Sequence, residues 1–150
     1  MFSFFQFVNS GFPIVTFKER RICLTFVKDV AKAVAGAIAS VGDGKTYFIA
    51  EEKDYSWRDM YEILALVMNK KITVLKAPDA VFYLAAFVSE KFNALLGRDA
   101  VFNRQKAEEL LQDAWTCSDE NSGNDLNVEF TDFFSGAKIT YNWYRENGWL

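Results

Sequence analysis

The stretch "RICLTFVKDVAKAVAGAI", residues 21–38, decides the fold class. Its first seven residues, "RICLTFV", are rich in β-branched and aromatic side chains and read as a strand over 21–27. Asp29 follows, and after it Val30, Ala33, Val34, Ala37 and Ile38 recur at helical spacing as one apolar stripe. A carboxylate at that junction is suited to cap the helix it precedes. A strand running almost directly into an amphipathic helix is the alternation of an α/β domain.

Working outward, residues 2–9 read as a short amphipathic helix ended by Gly11. Downstream, "GDGK" at 42–45 is a turn and "TYFIA" at 46–50 a second strand. Ser56 with Asp59 three positions on resembles a capping box, although such boxes prefer Glu or Gln. The helix it opens carries Trp57, Met60, Ile63, Leu64, Val67 and Met68 on one face. "KITVLKAP" at 71–78 alternates like a strand and ends at Pro78, which suits the entry to a helix. From Asp79 to Gly97 runs the longest helix, apolar nearly all round in its first half, and such a helix wants partners on several sides. A further helix is expected from Arg104 to Trp115, then a polar loop "SDENSGND" at 118–125, then a last helix from about Asp132 to Asn147. The expected fold is therefore a helix-rich α/β domain of about five helices and three short strands. The four tryptophans, Trp57, Trp115, Trp143 and Trp149, fall at helical positions and read as core.

The chain closes on "YNWYRENGWL", residues 141–150. Gly148 can adopt the left-handed conformation that ends a helix, which makes Trp149 the residue that packs back, onto Tyr144. This tail is expected to be anchored and to end the domain.

At 150 residues the length fits one domain with its own core, and 51% hydrophobic with 25% charged residues is ordinary globular material. The aromatic share of 17%, with 15 Phe, points to a very aromatic core or to surface meant to be covered. A net charge of −3 argues against nucleic acid or an anionic membrane as partner. There is no His, which removes most metal sites and every Ser-His or Cys-His nucleophilic pair. Cys23 and Cys117 stand far apart without CxxC spacing, so a disulfide scaffold or zinc site is not expected and a reducing cytoplasm is. The start "MFSFFQFVNSGF" lacks a basic leader, and "AVFYLAAFV" at 80–88 falls far short of the roughly 20 residues of a membrane span.

Five segments in this order resemble the C-terminal half of extended short-chain dehydrogenases: "SFFQFVNSGFPIV", "LTFVKDVAKAVAGAI", "GKTYFIAEEKDYSWRDMYEILA", a strand running into Pro, and "WYRENGWL". The group meant is that of the nucleoside-diphosphate-sugar epimerases, dehydratases and 3β-hydroxysteroid dehydrogenase-like enzymes, and the resemblance spans essentially the whole chain. It implies a substrate-binding part that lacks the Rossmann half, with NAD or NADP held by the full-length parent and no cofactor expected on this fragment. Two features of the family are missing here: a glycine-rich turn for the dinucleotide pyrophosphate, and a Tyr-x-x-x-Lys pair. Positions four after Tyr47, Tyr55, Tyr61, Tyr83, Tyr141 and Tyr144 hold Glu51, Asp59, Ala65, Phe87, Arg145 and Gly148. The implied partners are a small-molecule substrate, a nucleotide sugar in the sugar-modifying branch, and the absent Rossmann half. Surface orphaned by that absence is expected to pair in a homodimer.

The resemblance also supplies candidate substrate-binding residues. Arg21 stands near the position from which sugar-nucleotide epimerases hold a substrate diphosphate, for which a guanidinium fork is suited. Its register departs from theirs: Ile22 occupies the expected position, and Phe26 replaces the family's His. Lys28 beside the cleft is a candidate contact to a substrate anion, against a plain reading as a solvated charge. Arg104 opens a helix near where relatives touch the distal part of the substrate, with Asn103 reading as its cap. Glu51, Glu52, Asp54, Asp119 and Glu120 have no spacing that fixes a metal and read as solvated loops. The alternative to an enzyme part is a stand-alone helical module that binds a hydrophobic ligand or protein, suggested by the Phe content and the apolar helix from Ala80 to Val88.

Overall fold

The computed structural model describes residues 1–39, 44–117 and 122–150. The expected strand over 21–27 is shorter than the composition suggests, because the helix after it begins early. β2 is Arg21–Cys23 and α2 is Val27–Ala39, so Asp29 lies inside the first turn rather than at the cap. Leu24 and Phe26 are spent on packing instead: Leu24 joins the main core, and the Phe26 ring lies over Gly136, where a Cβ would come within 3.2 Å of it.

Among the described residues there are seven helices and five short strands, more of each than expected. α1 is Phe2–Ser10, ended by Gly11 at φ 82°. β1, Ile14–Thr16, follows Pro13 and pairs in parallel with β4, Leu75–Ala77, in the register Ile14↔Leu75 to Thr16↔Ala77. β2 is central in the second sheet, antiparallel to β3 (Asp54–Ser56) and parallel to β5 (Ala114–Trp115). α3 is Trp57–Met68, α4 Asp79–Leu95, α5 Arg104–Leu110, α6 Ser122–Asp125 and α7 Phe133–Glu146.

Three expectations are corrected. Residues 46–50 form no strand: Glu51 N–H bonds the Leu24 carbonyl and Thr25 Oγ1 the Ile49 carbonyl, two contacts that do not make a ladder. The helix expected to reach Trp115 stops at Leu110, since Arg20 Nε takes the Leu111 carbonyl at 2.8 Å and β2 offers its edge to Ala114 and Trp115. Trp115 is therefore a half-exposed strand residue, its indole N–H on the Glu109 carbonyl. Of the polar loop at 118–125, residues 122–125 form the single turn of α6, and 118–121 lie outside the described residues, as do residues 42 and 43 of the 42–45 turn.

The core sits where α1, α3 and α7 meet. Phe5 and Val8 of α1 pack with Met60, Tyr61, Leu64, Ala65 and Met68 of α3 and Phe133 and Ala137 of α7. These α3 positions recur every three or four residues, the spacing that puts them on one face. Ser56 and Asp59 do form the expected reciprocal capping box, so Asp serves here in place of Glu. At the other end, Gly148 adopts φ 70°, and the Trp149 N–H bonds the Tyr144 carbonyl at 2.8 Å while the Gly148 N–H bonds that of Arg145. That is the Schellman pattern. The Trp149 ring meets those of Tyr144, Trp143 and Phe2 at 5.8–5.9 Å, yet remains 56% exposed, so the tail is anchored on the surface of the core rather than in it.

A second, smaller cluster holds α2: Ala33 packs with Leu126 and Val128, supported by Tyr47, Ile49 and Phe130. Here the amphipathic reading inverts. α2 buries its small face, Asp29 and Ala33, and turns Val27, Val30, Val34 and Ile38 outward. Gly36 explains the choice, because a Cβ there would fall 2.3 Å from the Leu126 carbonyl oxygen. Only a face of small residues lets that segment approach the helix.

Candidate functional site

Arg21 stands in β2 opposite Ser56 of β3, which places Asp54 across from its guanidinium. Nε and Nη2 reach Asp54 Oδ2 and Oδ1 at 2.7 and 2.9 Å, and Nη1 reaches Glu19 at 3.1 Å. Bonding to Asp54 raises the Arg21 pKa further and holds the Asp54 carboxyl below its usual range. The fork suited to a diphosphate is already filled. Asp54, expected in a solvated loop, is the strand residue that fills it.

Arg104 is held in a similar way. Asn103 caps α5 through Lys106 N–H at 2.9 Å, as expected, and Arg104 reaches back to Glu90 of α4 with Nε and Nη2 at 3.1 and 3.2 Å. This pair lines an open cleft of about 620 Å³ between α4 and α5, whose wall also includes Arg98, Asp99 and Glu108. Lys28, in the first turn of α2, is exposed and makes no ion pair among the described residues. Among the described residues no hydrogen bond, ion pair or shared cleft joins Arg21, Lys28 and Arg104.

Two charged residues in the same stretch are buried. Arg20 is 4% exposed; its Nε bonds Leu111 O, its Nη1 bonds Thr16 Oγ1 at 2.6 Å, and its Nη2 bonds Asp79 Oδ2 at 2.6 Å. One guanidinium thereby ties β1, the start of α4 and the end of α5 together. Asp29 is 0% exposed and accepts the Thr131 N–H at 2.7 Å and the Lys32 ammonium at 2.9 Å. Burial pushes its pKa up, but these donors outweigh it and hold the carboxyl below its ordinary value. Glu51, also expected to be solvated, is half-buried under the Tyr55 hydroxyl at 2.6 Å, and burial raises its pKa. Asp119 and Glu120 lie outside the described residues.

The N-termini of α2, α3, α4, α5 and α7 do not fit a dinucleotide. Ser56 with Asp59 satisfies that of α3, Asn103 that of α5 and Asp132 that of α7, while α4 opens on Pro78 and Asp79 and α2 carries Asp29 in its first turn. A pyrophosphate needs free N–H groups and no carboxylate beside them. Among the described residues no group of His, Cys, Asp or Glu could hold a metal, and none of the described helices is long and apolar enough to cross a membrane.

What the surface offers instead is apolar. α4 buries only Ala86 and exposes Val81, Leu84, Phe87, Val88, Phe92 and Leu95. The accessible surface of the chain is 10079 Å², about 2,300 Å² more than a compact monomer of its mass presents.

No protein-family model matches the chain. Over 139 residues it is 27% identical to a ceramide reductase of Caulobacter vibrioides, an alignment that takes in 92% of this chain and 43% of that protein. Triphenylmethane reductase of Citrobacter sp., solved with NADP(H), matches with a TM-score of 0.66 at 15% identity, over 92% of this chain and 47% of the enzyme. The dTDP-glucose 4,6-dehydratase of Bacillus anthracis, solved with NAD, matches at 0.59 and 14%, over 97% and 38%. These likenesses establish the fold as that of one part of such enzymes. The chain spans less than half the length of each of the three.

Proposed function

We propose that this chain is the substrate-recognising part of an NAD(P)-dependent oxidoreductase, and that the substrate it holds is a long-chain lipophilic carbonyl compound rather than a nucleotide sugar. The observation that carries the reading is the uncovered apolar side of α4, six large side chains on a helix that buries one alanine. Soluble domains keep surfaces of that kind for something that covers them. The occupied forks of Arg21 and Arg104 support the same choice, because a diphosphate would have to displace Asp54 or Glu90 before gaining either arginine. The likeness to a ceramide reductase agrees, ceramide being a lipid.

Among the described residues the N-termini of α2, α3, α4, α5 and α7 offer no pyrophosphate cradle, so on this reading hydride transfer belongs to a dinucleotide-binding part of the full-length enzyme. The role left here is to bind the substrate and exclude water from it.

Intrinsic tryptophan fluorescence tests the reading. A long-chain methyl ketone, titrated below its aggregation limit, should bind with a dissociation constant of ~10 μM or tighter, about −7 kcal/mol. Leu84→Asp should abolish that binding and Arg21→Ala should not. NAD and NADP should not bind at this level. Binding of UDP-glucose that needs Arg21, with none of the ketone, would restore the nucleotide-sugar reading; tight binding of NAD would remove the fragment reading and favour a self-sufficient module.

A further inference from the structure

Cys23 ends β2, and Cys117 stands two residues beyond β5, its parallel neighbour. Ninety-four positions separate them in sequence, yet their sulfurs lie 3.3 Å apart. The Cys117 backbone N–H also points at Cys23 Sγ at 3.3 Å, and both side chains are half-buried rather than sealed. Both are free thiols. The contact lies outside both core clusters.

We propose that Cys23 and Cys117 form a reversible dithiol/disulfide site, oxidised by low-molecular-weight disulfides of the glutathione type. The site clamps β2 to the segment after β5. The Cys117 N–H points at Cys23 Sγ and not at its own sulfur, and this contact marks Cys23 as the attacking sulfur. Its thiolate attacks one sulfur of the small disulfide; a protein–small-molecule mixed disulfide forms and one small thiol leaves. Cys117 then loses its proton and attacks the Cys23 sulfur of that mixed disulfide, so the intramolecular bond forms and the second small thiol leaves. Two electrons pass from the protein pair to the small disulfide, and the two protons end on the released thiols. Contact with Cys23, together with burial, raises the pKa of Cys117, which suits it to the second step rather than the first.

The clamp reinforces a weak place. β2 and β5 share only two register pairs, Arg21↔Ala114 and Ile22↔Trp115, and Cys23 lies four residues before α2 with its outward apolar face. A covalent tie there would hold the start of α2 in place.

The test uses the whole chain in redox buffers of oxidised and reduced glutathione, read by mass and by non-reducing peptide mapping. The wild type should lose about 2 Da, two hydrogens, and yield a Cys23–Cys117 crosslinked peptide that dithiothreitol releases. The same crosslink should need a glutathione disulfide ratio at least about tenfold higher in strong urea, because the fold supplies the proximity. Cys117→Ser should trap a glutathione adduct on Cys23 faster than Cys23→Ser traps one on Cys117. Two stable glutathione adducts without a crosslink, crosslinks only between molecules, no reaction, or equal crosslinking in native buffer and in urea would each overturn the site. Equal adduct rates in the two serine variants would overturn the assignment of Cys23 as the attacking sulfur.

Discussion

Replacing Asp29 tests how α2 is held. The carboxylate is wholly buried, takes the Thr131 N–H at 2.7 Å and the Lys32 ammonium at 2.9 Å, and joins α2 to the segment leading into α7. The Lys32 side chain is 58% exposed, so its share is screened and small. The bond from Thr131 dominates. Asp29→Ala leaves that N–H without a partner, a loss of about 1–3 kcal/mol. Asp29→Asn keeps an acceptor and loses the charge, for which about 1 kcal/mol is expected. The pH dependence has a definite sign. The folded pKa lies below the unfolded value of about 3.9, so the charge contributes its full stability above that value and loses it as pH falls through the folded pKa. Below that range the protonated aspartate resembles asparagine. Urea unfolding of wild type and Asp29→Asn, followed by tryptophan fluorescence, should therefore show a gap at pH 7 that closes as pH falls below about 4. A gap that stays constant with pH, or an Asp29→Ala cost under ~0.5 kcal/mol, would refute the argument.

Arg20→Met should cost about 2–4 kcal/mol in the same unfolding assay, because it strands the Leu111 carbonyl, Thr16 Oγ1 and Asp79 at once; Arg20→Lys should recover only part of it. Gly36→Ala should destabilise by about 1–3 kcal/mol although alanine is the better helix former, since its methyl would meet the Leu126 carbonyl oxygen; a stabilised variant in thermal unfolding would show that the Leu126 segment yields freely. Trp149→Ala should cost about 1 kcal/mol rather than a full core penalty, the ring being 56% exposed, and a loss above ~3 kcal/mol would mean that the tail is buried in solution. The isolated chain should self-associate through the outward apolar faces, burying on the order of 1,000 Å² or more; a monomer in sedimentation at micromolar concentration that binds no hydrophobic dye would refute this.

The parts of the fold readable in the sequence are those in which cause and effect lie within a few residues. Gly11, the Ser56–Asp59 box, Asn103 and Gly148 all act at three or four residues' distance, and all act as read. The strands were readable only in part because pairing makes them. β5 has two residues whose composition suits a helix as well, and only the open edge of β2, more than ninety positions earlier, turns them into a strand. The run at 46–50 is the reverse case, a β-rich composition with no ladder among the described residues. α2 shows a third limit. The stripe of Val30, Val34 and Ile38 was visible, but periodicity does not say whether a stripe faces the core of the same chain; the close approach of Leu126 to Gly36 decides that.

The candidate site was legible as a set of cations and hidden as a set of pairs. Consecutive residues at a strand send their side chains to opposite sides, and Arg20 and Arg21 divide in that way, one into the interior and one onto the β2–β3 edge. Their charges are the same; their partners could not be read from sequence because Asp54 and Asp79 lie 33 and 59 residues away. The pairing carries a consequence for specificity. An exposed Arg–carboxylate pair is worth little in itself, but an incoming diphosphate must give up its own hydration and also leave Asp54 unpaired, so exchange at Arg21 gains almost nothing over the resting state. An alkyl chain laid on α4 faces no such competitor, since the side chains it would cover are already exposed and each buried methylene contributes about 0.8 kcal/mol. If α4 holds a lipophilic substrate as proposed, length of alkyl chain rather than charge is what would distinguish one such substrate from another.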